Sequence, residues 1–230
     1  MIQVAIKRSN GSVGTCRIHD LLRDLSISEA RQNNFFTLHN DNGTSSSSTS
    51  AGSWINDDLG KLTNLRDLAI RGDISSYHKA LSESVEKLRN LESLSLFEGH
   101  SIPSFMPFTH HLYLYRMYLD GRIEKLPVLP PNLAELTLLE SKLEQDAIST
   151  LEKLQHLKIL KFWSKSYDNK KMFYSSGGFL RLEVLELEDS SLEEWIVEEG
   201  AMPSLKSVEL YSMYNLKTLP DQIRVLSKWV

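Results

Sequence analysis

The stretch Leu133-Ala-Glu-Leu-Thr-Leu138 decides the fold of this chain, because its pattern recurs three more times. The later copies read Leu157-Lys-Ile-Leu-Lys-Phe162, Leu182-Glu-Val-Leu-Glu-Leu187 and Leu205-Lys-Ser-Val-Glu-Leu210. In each copy the last two apolar residues flank a polar one, and successive side chains of a β-strand point to opposite faces. The phrase therefore predicts a short strand with one buried and one exposed face.

Three earlier copies extend the series, namely Leu65, Leu68, Ile70; Leu91, Leu94, Leu96; and Leu114, Met117, Leu119. In the third of these, Leu112 and Leu114 are an alternative to Met117 and Leu119. The last apolar positions fall at 70, 96, 119, 138, 162, 187 and 210, at intervals of 19 to 26 residues. This period is typical of a leucine-rich repeat solenoid, in which stacked repeats bury a continuous core. We expect an α/β fold with about seven repeats, a curved parallel sheet, and Leu68, Leu94, Leu136, Leu160, Leu185 and Val208 facing inward.

The segments that return from one strand to the next have two predicted forms. Leu81, Val85 and Leu88 recur at helical spacing, as do Ile148, Leu151 and Leu154. By contrast, Leu126-Pro127 and Leu219-Pro220 indicate extended or turn-like returns, because proline resists a continuing helix.

The chain divides at a serine-rich segment. Residues 40–53 read NDNGTSSSSTSAGS, which has too few apolar side chains to offset the entropy of ordering, so we expect a disordered linker. Residues 1–39 predict a hairpin, with strands at Ile2–Ile6 and Thr15–Ile18, followed by a helix that begins at Asp20. Residues 54–230 form the predicted repeat domain.

Composition narrows the class of protein. The net charge of −4 provides no basic field for nucleic acid or an anionic membrane. Cys16 is the only cysteine, which suits a reducing compartment. The N-terminal residues lack the apolar core of a signal peptide, and no 18-residue apolar run could span a bilayer. We therefore expect a cytoplasmic protein.

The run Cys16-Arg17-Ile18-His19-Asp20-Leu21-Leu22-Arg23-Asp24-Leu25, with Ile2-Gln3-Val4-Ala5 before it, resembles the end of the winged-helix subdomain in plant coiled-coil-type NLR disease resistance proteins. Further similarity lies at residues 60–65, 120–127 and 199–203. These proteins are intracellular immune receptors with a nucleotide switch and a C-terminal leucine-rich repeat. The resemblance implies that residues 1–39 are a winged-helix remnant.

In that family a Met-His-Asp motif, whose histidine senses the phosphates of the bound nucleotide, corresponds to Ile18-His19-Asp20. The sequence contains no Gly-x-x-x-x-Gly-Lys-Ser/Thr loop to cradle phosphates. We therefore expect His19 to be a structural remnant, with no intact cofactor site. No catalytic elbow, Ser/His/Asp set or metal-ligand set is evident, so we expect no enzyme activity and no metal.

The predicted function is noncovalent protein recognition, or autoinhibition, by the repeat module of an immune receptor in the plant defence response. The implied partner is the nucleotide-switch module, a pathogen effector or a guarded host protein. Fewer repeats follow the linker than in the family, which predicts an N-terminally truncated and internally shortened copy. A free-standing scaffold or decoy that regulates another receptor, or a degenerate gene product, is the alternative.

Residues that flank the inward positions project from the predicted concave face and are candidates for binding a partner. Exposed aromatic and charged residues in such a position are typical of protein interfaces. The candidates are Phe97, Arg116, Tyr118, Glu135, Lys161, Trp163, Glu186, Glu188, Glu209 and Tyr211. Alternatively, the aromatic side chains of this set cover neighbouring repeats.

Two further groups predict only ordinary surface. His110 and His111 are adjacent, and on a strand they would point in opposite directions, so we expect surface histidines rather than a metal pair. The acidic group Glu193, Glu194, Glu198 and Glu199 predicts a solvated charged face, with a cation or a basic partner as the alternative.

Overall fold

The computed structural model of the protein describes residues 3–7, 13–17, 35–40, 55, 58–72, 77–102, 108–189, 191–224 and 226–229. In these ranges the strands are β1 Gln3–Lys7, β2 Val13–Arg17, β3 Phe35–Asn40, β4 Asp67–Gly72, β5 Ser93–Ile102, β6 Arg116–Ile123, β7 Glu135–Leu139, β8 Ile159–Trp163, β9 Lys171–Tyr174, β10 Val184–Glu188, β11 Glu194–Val197, β12 Ser207–Tyr211 and β13 Ser227–Trp229. The helices are α1 His78–Lys87, α2 Gln145–Leu151 and α3 Asp221–Arg224, and short 3₁₀ turns lie at Leu59–Lys61 and Phe108–His110.

Among the described residues, nine strands form one parallel sheet in the order β13-β12-β10-β8-β7-β6-β5-β4-β3. The seven predicted repeat strands are β4 to β8, β10 and β12, and all of them are present. Consecutive strands are neighbours and run in the same direction, because each repeat packs only on the next one. The predicted leucine-rich repeat architecture is therefore confirmed.

The sheet extends beyond the seven predicted strands at both ends. β3 pairs with β4, so that Phe36 lies in register with Leu68 and Leu38 lies in register with Ile70. The repeat sheet therefore begins within the segment that we assigned to the N-terminal unit, and the predicted boundary at residue 54 is too late. At the other end, β13 pairs with β12.

The inward positions form two continuous rows across the sheet. The first row joins Leu68, Leu94, Met117, Leu136, Leu160, Leu185 and Val208 in register. The second row joins Ile70, Leu96, Leu119, Leu138, Phe162, Leu187 and Leu210 in the same way. Each of these side chains is at most 2% exposed. Burial of one such side chain stabilises the fold by roughly 1.5–3 kcal/mol.

The return segments have the two predicted forms, except after Pro220, where a short helix takes the place of the predicted extended or turn-like return. α1 buries Leu81 and Val85, and α2 buries Ile148 and Leu151, so the helical spacing of these residues identifies both helices. The segment around Pro127 contains no helix, and α3 begins directly after Pro220. The ambiguous repeat is also resolved, because Met117 is buried whereas Leu112 is 57% exposed.

Backbone hydrogen bonds join each repeat to the next just before its strand begins. The Arg66 carbonyl accepts the N–H groups of Glu92 and Ser93, and the Glu92 carbonyl accepts those of Tyr115 and Arg116. The same double acceptance repeats at the carbonyls of Tyr115, Ala134, Lys158 and Glu183. This ladder fixes the register of the strands although the repeats differ in length.

A second, smaller parallel sheet pairs β9 with β11. The side-chain amide of Gln145 lies against the edge of β9, where Nε2 donates to the Phe173 carbonyl (2.6 Å) and Oε1 accepts the Phe173 N–H (3.0 Å). One side chain thus satisfies both backbone groups that a neighbouring strand would use.

Near the N-terminus, β1 and β2 pair antiparallel, as in the hairpin predicted over residues 2–18. The helix predicted at Asp20, the candidate His19 and most of the serine-rich segment lie outside the described residues. The division into a winged-helix remnant, a linker and a repeat domain therefore stays a prediction, apart from its displaced boundary.

Candidate protein-binding face

The outward side chains of β4 to β8, β10 and β12 form what we call the open face, which consists of three rows. The first row is Asp67, Ser93, Arg116, Glu135, Ile159, Val184 and Ser207; the second is Ala69, Ser95, Tyr118, Thr137, Lys161, Glu186 and Glu209; the third is Arg71, Phe97, Asp120, Leu139, Trp163, Glu188 and Tyr211. All ten candidate residues lie on this face. Because they occupy equivalent positions of different repeats, the register brings them together in groups.

The first group is an aromatic stack near the N-terminal end of the open face. The guanidinium of Arg71 lies 3.8 Å from the ring centre of Phe97, and the rings of Phe97 and Tyr118 are 4.7 Å apart. Burial, followed by the charge of Asp120, raises the pKa of the Tyr118 hydroxyl. Arg71, which was not among our candidates, completes this stack, and its position in the repeat is the signal that could have identified it.

Arg116 and Glu135 form an ion pair beside this stack, with the Arg116 Nε 2.7 Å from the Glu135 Oε2. Arg116 also lies 5.4 Å from the ring centre of Tyr115. We name Arg71, Phe97, Arg116, Tyr118 and Glu135 the N-terminal patch. Each of its charged side chains contacts a charge or an aromatic ring of the same face.

The second group lies on β8 and β10. Lys161 Nζ is 2.7 Å from Glu186 Oε1, and the indole N–H of Trp163 donates to Glu186 Oε2 at 3.1 Å. Lys161 Nζ also lies 5.3 Å from the ring centre of Trp163. Glu186 therefore binds both Lys161 and Trp163, and it fixes the orientation of the indole ring on the open face.

The third group adds two carboxylates and a phenol on β10 and β12. The Tyr211 hydroxyl donates to Glu209 Oε2 at 2.8 Å. That hydrogen bond, then burial and the charges of Glu209, Glu186 and Glu188, raise the pKa of Tyr211. We name Trp163, Glu186, Glu188, Glu209 and Tyr211 the C-terminal patch.

Exposed apolar side chains lie beside the open face, where the chain enters β6 and β10. Leu112, Tyr113 and Tyr115 are 57%, 64% and 37% exposed, and Leu180 is 53% exposed. None of these residues was among the binding candidates, because the Leu-x-x-Leu-x-Leu phrase describes only the strand and not the turn before it.

His111 corrects our expectation of two surface histidines. His110 is exposed, but His111 is only 3% exposed, and its Nε2 lies 2.9 Å from the Val85 carbonyl oxygen. Burial, opposed by that hydrogen bond, lowers the pKa of His111. The prediction was wrong for His111, because this pair lies in a turn that directs the second ring into the core instead of on a strand.

Two of the four carboxylates in the acidic group after β10 pair with lysines of neighbouring repeats, whereas Glu198 and Glu199 are exposed. Glu193 contacts Lys170 at 2.6 Å and Lys217 at 2.8 Å, and these hydrogen bonds lower its pKa to about 2. Glu194 contacts Lys171 at 2.6 Å. This group therefore joins three consecutive repeats.

Buried ionisable groups also serve the contacts between repeats. Glu152 accepts the N–H and the hydroxyl of Ser175 at 2.6 and 2.8 Å. Burial raises the pKa of Tyr167 to about 12, and the Tyr167 hydroxyl donates to the Lys171 carbonyl.

Within the described ranges, no three His, Cys, Asp or Glu side chains form a metal-binding group. None of the helices in the part of the chain that the structure describes is long and apolar enough to cross a membrane.

Comparison with known families agrees with this architecture. The model of a leucine-rich repeat region matches residues 37–224, which include the strands of the open face and four of the six residues of β3. The chain belongs to the leucine-rich repeat family. The matched range also begins before residue 54, in agreement with the earlier start of the sheet.

Similar proteins of Arabidopsis thaliana are named for disease resistance. Disease resistance protein RPP8 is 36% identical over 179 residues, and RPH8A is 34% identical over 179 residues. The probable disease resistance protein RXW24L is 36% identical over 180 residues. Each match covers 74% of this chain and about a fifth of the relative. The predicted resemblance to plant disease resistance proteins is confirmed.

Proposed function

We propose that this chain acts as the leucine-rich repeat module of a cytoplasmic plant immune receptor and binds protein noncovalently through the open face. The observation that carries the proposal is the open face itself, where register brings Phe97, Tyr118, Trp163 and Tyr211 onto one side of a continuous sheet. Aromatic residues among charges are typical of the residues that dominate binding energy in protein interfaces.

The relatives support the immune context, because their names assign them to disease resistance. The architecture supports recognition, since a stacked solenoid presents an extended surface without altering its core. We propose the nucleotide-switch module of a full-length relative as the first partner to test, because the family resemblance implies that the repeat region packs against it at rest. A pathogen effector or a guarded host protein would use the same surface.

The test combines binding and stability measurements on the full chain. We expect Trp163→Ala and Tyr118→Ala each to weaken binding to the nucleotide-switch module of a full-length relative by ~1–4 kcal/mol, as for interface anchors. Tyr214→Ala is the matched control, because Tyr214 is 84% exposed and lies outside the strands of the open face. Calorimetric titration gives the affinity, and a melting curve of each variant shows whether the fold persists.

The opposite pattern would contradict the proposal. Loss of the ring pair with Phe97 lowers the melting temperature of Tyr118→Ala under either outcome, so the decisive quantity is the affinity of the folded variants. If Trp163 and Tyr118 only cover neighbouring repeats, binding falls only to the extent that the chain unfolds.

A further inference from the structure

The charge balance of the open face changes along the solenoid. In the N-terminal patch, Arg116 pairs with Glu135, and Arg71 lies on the Phe97 ring. In the C-terminal patch, Glu186, Glu188 and Glu209 lie near Lys161, the one cation among the described outward side chains of β8, β10 and β12. Three carboxylates against one ammonium give this group of described side chains a net charge of −2.

Lys161 does not neutralise Glu188 or Glu209, because its ammonium group pairs with Glu186 at 2.7 Å. Glu209 accepts only the neutral hydroxyl of Tyr211 among the described side chains, and none of their cations pairs with Glu188. The row of Glu209 continues on β13, where the backbone of Lys228 lies in register with it. The raised pKa of Tyr211 agrees with a negative potential here, since all three carboxylates contribute to it.

An aromatic platform lies next to these carboxylates. Glu186 fixes the Trp163 indole by accepting its N–H, so the ring is already ordered before any partner binds. β8, which carries Trp163, is the direct neighbour of β10, which carries Glu188. A side chain with an apolar stem and a cationic head matches this arrangement, because the stem packs on a ring while the head meets carboxylates.

We propose that the C-terminal patch binds a positively charged protein segment in which arginine or lysine alternates with apolar residues. This inference rests on the proposed function and names the chemistry of the partner at one end of the same face. Charge complementarity selects this partner over an acidic one, since like charges placed together oppose association.

The test uses two labelled peptides of equal length, one with repeating Arg-Leu-Gly and one with repeating Glu-Leu-Gly. We expect the arginine peptide to bind the full chain, as measured by fluorescence anisotropy, with an affinity that falls as salt rises. The glutamate peptide should not bind. The double substitution Glu188→Gln with Glu209→Gln should weaken arginine-peptide binding by about 10-fold or more.

The control is Glu124→Gln with Glu199→Gln, which removes the same charge from two exposed residues outside the open face. It should change the affinity less than about 2-fold, since surface charges act weakly at a distance in salt. Equal binding of both peptides, no binding of the arginine peptide, or equal losses in the two double variants would each overturn the inference.

The outcome also separates this inference from the proposed function. If Trp163→Ala weakens binding of the switch module but the carboxylate substitutions leave arginine-peptide binding intact, the binding face stands and the basic partner falls. If binding of the arginine peptide requires Glu188 and Glu209 while Trp163→Ala leaves the affinity for the switch module unchanged, the basic partner is supported and the proposed function is contradicted.

Discussion

The two patches of the open face share one backbone geometry and similar residue types, yet they differ in how their polar groups are satisfied. In the N-terminal patch, Arg71 and Arg116 lie against partners of the same face, and Phe97 packs between Arg71 and Tyr118. In the C-terminal patch, Glu188 lies among acidic and aromatic neighbours. One solenoid thus presents a surface whose described charges are all partnered and another in which Glu188 pairs with no cation of the described side chains.

Truncation of a buried leucine should cost the most stability, and it tests whether the core is equivalent in the two halves of the sheet. Leu94→Ala, below the N-terminal patch, and Leu185→Ala, near the C-terminal patch, should each lower the free energy of unfolding by about 2–5 kcal/mol, because both leave a cavity in the stack. Urea denaturation of both variants measures this. Leu112→Ala is the control and should change stability by less than about 0.5 kcal/mol, since Leu112 is 57% exposed. A large cost in only one half would show that the repeats are not equivalent.

An intermediate effect separates the two patches. Phe97→Ala should lower the free energy of unfolding by about 1–2 kcal/mol, because it removes an aromatic pair and a cation–π contact. Glu188→Gln should change it by less than about 0.5 kcal/mol, as expected for a surface position without a specific contact. Thermal melts and urea titrations of the two variants provide the measurement. If Glu188→Gln were as costly as Phe97→Ala, the C-terminal patch would also be self-satisfied, and the comparison would fail.

The smallest predicted effect is on the stability of the fold at acid pH, and it comes from His111 in the N-terminal half of the sheet. Burial lowers the pKa of His111 below the unfolded value of 6.5, so the unfolded chain binds a proton that the folded chain does not. The neighbouring charges of Arg89 and His110 act in the same direction, and Glu86 opposes them. This contribution to stability is complete above pH 6.5 and is lost as the pH falls toward the folded pKa.

His111→Gln should therefore reduce the fall in melting temperature between about pH 7.5 and about pH 5.5, the range in which histidine titrates. His156→Gln serves as the control, because His156 is only half-buried, and its ring faces Arg181 rather than the core. An unchanged acid response in His111→Gln would contradict the assignment.

The sequence predicted the seven central strands because leucine spacing reports directly on burial. It did not identify β3, since Phe36 and Leu38 occupy the correct positions but Asn33 replaces the leading leucine of the phrase. The serine-rich segment that follows β3 also separated it from the other copies. A continuous sheet tolerates such a break, because pairing depends on backbone register rather than on one side chain.

The open face was predictable in position but not in pairing. Alternation along each strand placed Lys161 and Glu186 outward, but their contact depends on the register between repeats of unequal length. The same register joins Arg116 to Glu135 across a shorter repeat. The prediction that His111 lies at the surface failed for a related reason. Alternation of inward and outward side chains applies to strands, and His111 follows a 3₁₀ turn.

The backbone hydrogen bonds that precede each strand allow whole repeats to be gained or lost during evolution. Each of the carbonyls of Arg66, Glu92 and Tyr115 meets the next repeat through the same two backbone donors, so the joint between repeats is indifferent to side-chain identity. Duplication or loss of a whole repeat by recombination between gene copies would recreate the same joint at the new boundary. Such an event would add or remove one residue in each of the three rows of the open face while the hydrogen-bonded frame stayed constant. A gene with this frame can acquire a new recognition surface in a single genetic step.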